Sequence, residues 1–322
     1  MNTQIPLSLV LAFSLTACDS KEKADVAPEA PSAAEPQAEA PKAEEAKAEA
    51  PKAEEATPAA KEPEAKEPEA APSPLGDLAI EWVAFEGGPY AMVMDNEAKT
   101  EYAVTLNPFE IGKTEVTNAQ YQRCVDAGAC TEINYRQCTD NQKQREKLSG
   151  PQQPVVCVDW AQADAFAKWV GGTLPTEAQW AFAASSGGEK QPYPWGDAKP
   201  SCELAVMNWG CKTNASMDVC SKPQGNTPAG LCDMAGNVSE LMADVAGWDG
   251  ETEKRGTKIN RGGSWHGIDP LYYKNSPKGE SMLRTEHRSR YGPRMRDNSM
   301  GFRVARTKDG KPALAPDANE AG

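Results

Sequence analysis

Cysteine stops at Cys232, histidine occurs only at His266 and His287, and the first four residues carry no lysine or arginine. Each absence excludes something. No Cys-x-x-Cys pair occurs, which removes zinc ribbons and related clusters, and two histidines are too few for a histidine-rich metal site. No aromatic residue lies between Asp19 and Pro74, so that stretch has nothing with which to build a core. No apolar run reaches 18 residues, which leaves no candidate for a spanning helix. Positive charge is also short. The chain carries a net charge of −13, and Asp19–Pro74 alone holds 15 acidic against 7 basic residues. That balance argues against nucleic acid as a partner.

What is present divides the 322 residues into unequal parts. Ile5 to Leu15 is an apolar run of about eleven residues, suited to the core of a signal peptide. The Leu15-Thr16-Ala17-Cys18 that follows resembles the bacterial lipobox, which implies a lipid on Cys18. Residues 1–17 are therefore expected to be a lipoprotein signal, without the usual basic start. Residues 18–75 are expected to be a disordered tether: Glu39–Ala46 repeats at Glu49–Ala56, and Lys61–Ala65 repeats at Lys66–Ala70. Prolines every few residues block helix and favour an extended chain. At about 3.1 Å per residue, such a segment reaches on the order of 170 Å when fully extended.

All eight Trp and all eight Tyr fall between Gly76 and Arg306, so residues 76–306 are expected to form one globular domain, with 307–322 a tail. Three helices are announced by their caps. Thr117, Asp159 and Thr176 each stand three residues before a glutamine, the capping-box pattern, and glycines at 128, 171 and 187 close the runs. Tyr102–Leu106, Phe109–Val116, Ile259–Arg261 and Gly301–Ala305 are expected to be strands. Beyond Cys18, eight cysteines remain: Cys124, Cys130, Cys138, Cys157, Cys202, Cys211, Cys220 and Cys232. An even number in an exported chain reads as disulfides. They fall into two groups of four, and pairing within each group is expected, with three connectivities open in each.

An ordered set of motifs then becomes recognisable. It runs from Glu81-Trp82-Val83 and Phe109-Glu110-Ile111-Gly112 through Glu115-Val116-Thr117-Asn118 to Leu174-Pro175-Thr176-Glu177-Ala178-Gln179-Trp180. Tyr193-Pro194-Trp195-Gly196 and Gly230–Val238 follow. Arg261-Gly262-Gly263-Ser264-Trp265 and Gly301-Phe302-Arg303-Val304 close the series. Over roughly residues 80 to 306 this resembles the formylglycine-generating-enzyme, or sulfatase-modifying factor, domain family. The resemblance implies an α/β (α+β), loop-rich fold related to C-type lectins. It also implies a calcium site in which Asp233 and Glu240 supply carboxylates and Gly236 and Val238 supply carbonyls, a donor set suited to a hard cation. The competing reading has Asp233 and Glu240 capping loops or pairing with arginines. A second family calcium site would use Asp218, but Val206 stands where the family has asparagine, which counts against it.

Enzymes of the family hold copper(I) between two cysteines, three and eight residues beyond the motif serine, and thiolates suit that soft ion. Here the two positions are Gly267 and Tyr272. No catalytic residue is therefore assigned and no copper is expected. The chain is expected to be a binding or scaffolding module of the bacterial cell envelope, periplasmic or on the surface. It would be attached through lipid, with an envelope protein or glycan as partner. The alternative is a formylglycine-generating oxidase or another metal-dependent oxidase. The run Arg284, Arg288, Arg290, Arg294, Arg296 reads first as pairing with the domain's own carboxylates, and second as an anion site. Trp265, Tyr272 and Tyr273 offer a carbohydrate surface only if exposed.

Overall fold

A capping box satisfies two orphan amides with one side-chain exchange, so it fixes a helix start locally, whatever the rest of the chain does. In a computed structural model of the chain, which describes residues 73–93, 101–245, 256–266 and 282–308, all three expected boxes are formed with both halves present. They open α1 (Asn118–Asp126), α3 (Trp160–Trp169) and α4 (Glu177–Ala184). A shorter helix, α2 (Gln142–Lys147), is capped by Asn141 and was not foreseen. The signal segment, Cys18, nearly all of the tether, Gly267, Tyr272, Tyr273 and residues 309–322 lie outside the described residues. No helix among the described residues is long and apolar enough to cross a membrane.

The strands form three small sheets. β1 (Trp82–Phe85), β4 (Phe109–Gly112) and β9 (Ala305–Thr307) make one in the order β1-β4-β9. β2 (Gly88–Val93) and β3 (Glu101–Leu106) form a hairpin. The third has the order β7-β6-β5-β8, from β5 (Ser239–Val245), β6 (Lys258–Arg261), β7 (Arg288–Tyr291) and β8 (Met300–Gly301). The pairing of β5 with β8 is parallel, and β6 lies antiparallel to both β5 and β7.

Two expected strands differ. The strand begun at Phe109 ends at Gly112, because Lys113 and Val116 donate to Glu81 and Phe302 rather than continuing one ladder. Gly301–Ala305 splits into β8, which pairs with β5, and β9, which pairs with β4; between them Phe302 and Val304 accept from the Val116 and Gly112 amides. One apolar cluster packs α1 and α3 around Tyr121, Phe166 and Phe302, whose rings meet within 6.5 Å. Leu75 joins it, wholly buried. A second cluster sets α4 against β4 and the β2–β3 hairpin through Trp180, Phe182 and Phe109.

The eight domain cysteines form four disulfides: Cys124–Cys130, Cys138–Cys157, Cys202–Cys211 and Cys220–Cys232. Each stays within its group of four. They cross-link the loop-rich parts of the chain, where few ladder hydrogen bonds are available.

Candidate functional site

The turn from Asp233 to Asn237 is wound tightly. Asp233, Gly236 and Asn237 all have positive φ, and a Cβ on Gly236 would sit 2.7 Å from the Val206 carbonyl. Only glycine fits there. Asn237 locks the turn by exchanging hydrogen bonds with the Met217 backbone at 3.0 and 3.3 Å. The chain then enters β5, which carries Glu240 into the core.

Glu240 is wholly buried and meets the wholly buried Arg303. Arg303 Nε and Nη2 donate to the two carboxylate oxygens at 2.6 and 2.7 Å, and Trp180 Nε1 adds a third bond at 2.8 Å. The guanidinium spends its other hydrogens on the carbonyls of Gly112, Lys113 and Cys232. Asp233, also buried, accepts from the Cys220 amide at 2.6 Å. For Glu240, then, the pairing with arginine is present.

Sequence reasoning missed the third carboxylate. Glu115 is 0% exposed, and neither of its side-chain oxygens has a hydrogen-bond partner among the described residues. Burial, reinforced by the charge of Asp233, holds its carboxyl well above the usual carboxylate range, against the pull of Arg303. Burial likewise lifts Asp233 to about 6, with Arg303 opposing and Glu240 adding to the rise. Three carboxylates thus share one guanidinium, an excess of two negative charges when all are ionised. A divalent cation matches that excess, and an orphaned buried carboxylate is the donor a hard cation takes. The signal in the sequence was an acidic residue between an apolar strand and a helix cap, where solvent exposure is rarely available.

A second buried carboxylate ties two motifs together. Glu177, at the start of α4, receives Arg261 Nε at 2.9 Å and Arg288 at 2.8 and 2.7 Å. Of the arginine run, Arg284 pairs with Glu286 and Arg296 with Asp159. Pairing with the domain's own carboxylates therefore accounts for Arg284, Arg288 and Arg296. Arg290 and Arg294 are exposed. Trp265 is buried and donates to the Asn298 carbonyl, so it offers no exposed stacking face. Asp218 is exposed, and the Val206 carbonyl is already taken by the Asn237 amide.

Beside Ser264 lies a cavity of about 210 Å³ that brings His266 and His287 to one wall system. Burial, then the neighbouring Arg261, pushes His287 down to about 4, so its imidazole is neutral at neutral pH. Among the described residues no group of three or more His, Cys, Asp or Glu is arranged to hold a metal by simple proximity.

Residues 67–308 match the Sulfatase-modifying factor enzyme 1-like domain. The serine/threonine-protein kinase pkn1 of Chlamydia pneumoniae is 30% identical over 263 residues, covering 74% of this chain and 39% of that one. The formylglycine-generating enzyme of Streptomyces coelicolor is 30% identical over 218 residues, covering 53% of this chain and 67% of that one. The chain thus spans about two fifths of the length of the first of these relatives. Among solved structures, PvdO from Pseudomonas aeruginosa superposes with a TM-score of 0.54 at 23% identity, covering 76% of this chain and all of that one. That likeness concerns the fold.

Proposed function

Since the chain belongs to the Sulfatase-modifying factor enzyme 1-like domain family, we propose that it is a non-catalytic member: a binding or scaffolding module held at the bacterial cell envelope by a lipid on Cys18. One observation carries this reading. Every cysteine of the domain is engaged in a disulfide, and none follows Cys232. No thiolate is left to hold a soft metal, and the two motif positions are Gly267 and Tyr272. The lipobox-like Cys18 and the long Pro-rich segment after it support an anchored module that stands clear of its membrane.

Calcium has a structural role in this reading. Asp233 and Glu240, the carbonyls of Gly236 and Val238, and Glu115 would hold it. The ion would neutralise the carboxylate excess that Arg303 leaves and so favour the folded state by mass action.

The competing outcome is generation of formylglycine, the activity in the name of the Streptomyces coelicolor relative, which the family resemblance implies proceeds by oxidation of a substrate cysteine. It is tested by oxygen uptake with the full-length chain, copper(I) or iron(II), and a Cys-containing sulfatase peptide. The expected rate equals that of a no-protein control. Turnover above the control overturns the non-catalytic reading.

A further inference from the structure

A residue other than glycine does not hold a positive φ unless its surroundings impose it. Two such residues stand at the carboxylate cluster, Cys220 at +60° and Asp233 at +54°. The Cys220 amide donates to Asp233 Oδ2 at 2.6 Å, so the two turns face each other through one hydrogen bond. An amide donated to a carboxylate favours its ionised form, which is the form a cation takes. The same two turns are also joined covalently, because the Cys220 sulfur is bonded to that of Cys232, the residue just before Asp233.

The Cys232 end sits in a frame. Its amide donates to the Lys113 carbonyl and its carbonyl accepts from Arg303 Nη2, both at 2.9 Å. Arg303 in turn donates to the Lys113 carbonyl and to both oxygens of Glu240. The Cys220 end is held less directly. In the intervening loop Gly225 donates to Lys222, Asn226 to Pro223 and Thr227 to Leu231, so the loop closes on itself and not on the cluster. The disulfide is the link that carries the framed position of Cys232 across to the Cys220 amide. A bridge between residues 12 apart also restrains the unfolded chain, but that effect leaves the affinity of the folded state for an ion untouched.

We propose that the Cys220–Cys232 disulfide is the positioning element of the cation site, so that oxidation of this pair completes the site. In that step the two thiols give up two protons and two electrons to a disulfide co-reactant, which leaves as two thiols. Before it, Cys220 relaxes to negative φ, its amide turns away from Asp233, and an arriving ion must impose the positive φ itself. The inference rests on the calcium reading given above, and it makes cation binding conditional on an oxidising compartment. Coupling is reciprocal: the factor by which the disulfide raises calcium affinity is the factor by which calcium favours the disulfide.

Calorimetric titration of the folded, full-length chain with calcium tests it in the oxidised parent and in two variants that each lack one bridge. Cys220→Ser with Cys232→Ser should bind calcium about tenfold more weakly or worse. Cys124→Ala with Cys130→Ala, which removes the short bridge on α1, should stay within about threefold of the parent. A bridge that only restrained the unfolded chain would lower the melting temperature in both variants and leave both affinities unchanged. The second measurement needs no variant. The oxidised fraction of the Cys220–Cys232 pair is read by peptide mass mapping of the parent in glutathione buffers, with calcium or with EDTA. A tenfold coupling moves the midpoint about 30 mV more negative in calcium. Val219 remains tied to the Gln152 carbonyl and Cys232 to Lys113, so the Cys220→Ser, Cys232→Ser chain is expected to fold. If it does not, the midpoint in the parent decides alone. Equal affinity in that variant and the parent, or a midpoint that ignores calcium, overturns the inference and leaves the calcium reading standing. An oxidised parent that binds no calcium overturns the calcium reading itself, and this inference with it.

Discussion

Replacing Arg303 removes the buried cation that Glu240, Glu115 and Asp233 share. The side chain is wholly buried, and all five of its hydrogens are directed at acceptors: two at Glu240 and the others at the carbonyls of Gly112, Lys113 and Cys232. Arg303→Met leaves Glu240 held by Trp180 alone and leaves three buried carbonyls short of a donor. Breaking a buried pair from one side costs about 3–5 kcal/mol, because the remaining charge stays in a medium that cannot solvate it. Against a total stability of about 5–15 kcal/mol, that is a large fraction. For a domain of this size it corresponds to a fall in melting temperature of about 6–20 °C. The assay is thermal and urea unfolding at pH 7.5 in EDTA, for the parent, Arg303→Met, Glu240→Gln and the double variant. The double variant should lose less than the sum of the singles, with a coupling of about 0.5–3 kcal/mol, since each change removes the other's unpaired charge. A loss below about 1 kcal/mol for Arg303→Met, or strict additivity, would refute the reasoning.

The carboxylate cluster makes stability depend on pH in a definite direction. Asp233 titrates at about 6 in the fold, against a model-peptide value near 4, so between those values the native state binds more protons than the unfolded chain. Without calcium its contribution should fall as pH rises through about 4 to 6, and calcium should raise the melting temperature more at pH 7.5 than at pH 5, read by scanning fluorimetry. Equal calcium shifts at both pH values would count against the cation site. Glu115→Gln should reduce the calcium-dependent shift while costing little in EDTA, because its carboxylate has no partner to lose among the described residues. Labelled palmitate should enter the full-length chain in its bacterial host and be absent from Cys18→Ser. Label persisting in that variant would place the anchor elsewhere.

The local parts of the fold were legible. Thr117, Asp159 and Thr176 announce helices because a cap and its glutamine partner sit three residues apart, and no distant residue is needed to complete them. The strand β5 was not legible. Its Glu240 reads as a calcium ligand, a loop cap or the partner of an unnamed arginine until Arg303, 63 positions later, is known to meet it. The same pair turned Arg303 inward, between β8 and β9. Disulfide pairing within each group of four emerged as expected, but the choice among three connectivities depends on which loops the fold brings together. The motifs quoted from the sequence are largely the ends of two buried networks, Glu177 with Arg261 and Glu240 with Arg303 and Trp180. Their order could be read directly, whereas their physical reason required the contacts.

The central claim is that this domain has no free thiolate with which to hold the copper(I) that its resemblance to the formylglycine-generating enzymes implies. Alkylation of the unfolded, unreduced full-length chain, followed by peptide mass mapping, tests it most directly. The account predicts no label on any of the eight cysteines from Cys124 to Cys232, with label appearing on all eight only after reduction. Two of those cysteines labelled without reductant would return a soft-metal ligand pair to the domain and contradict the account.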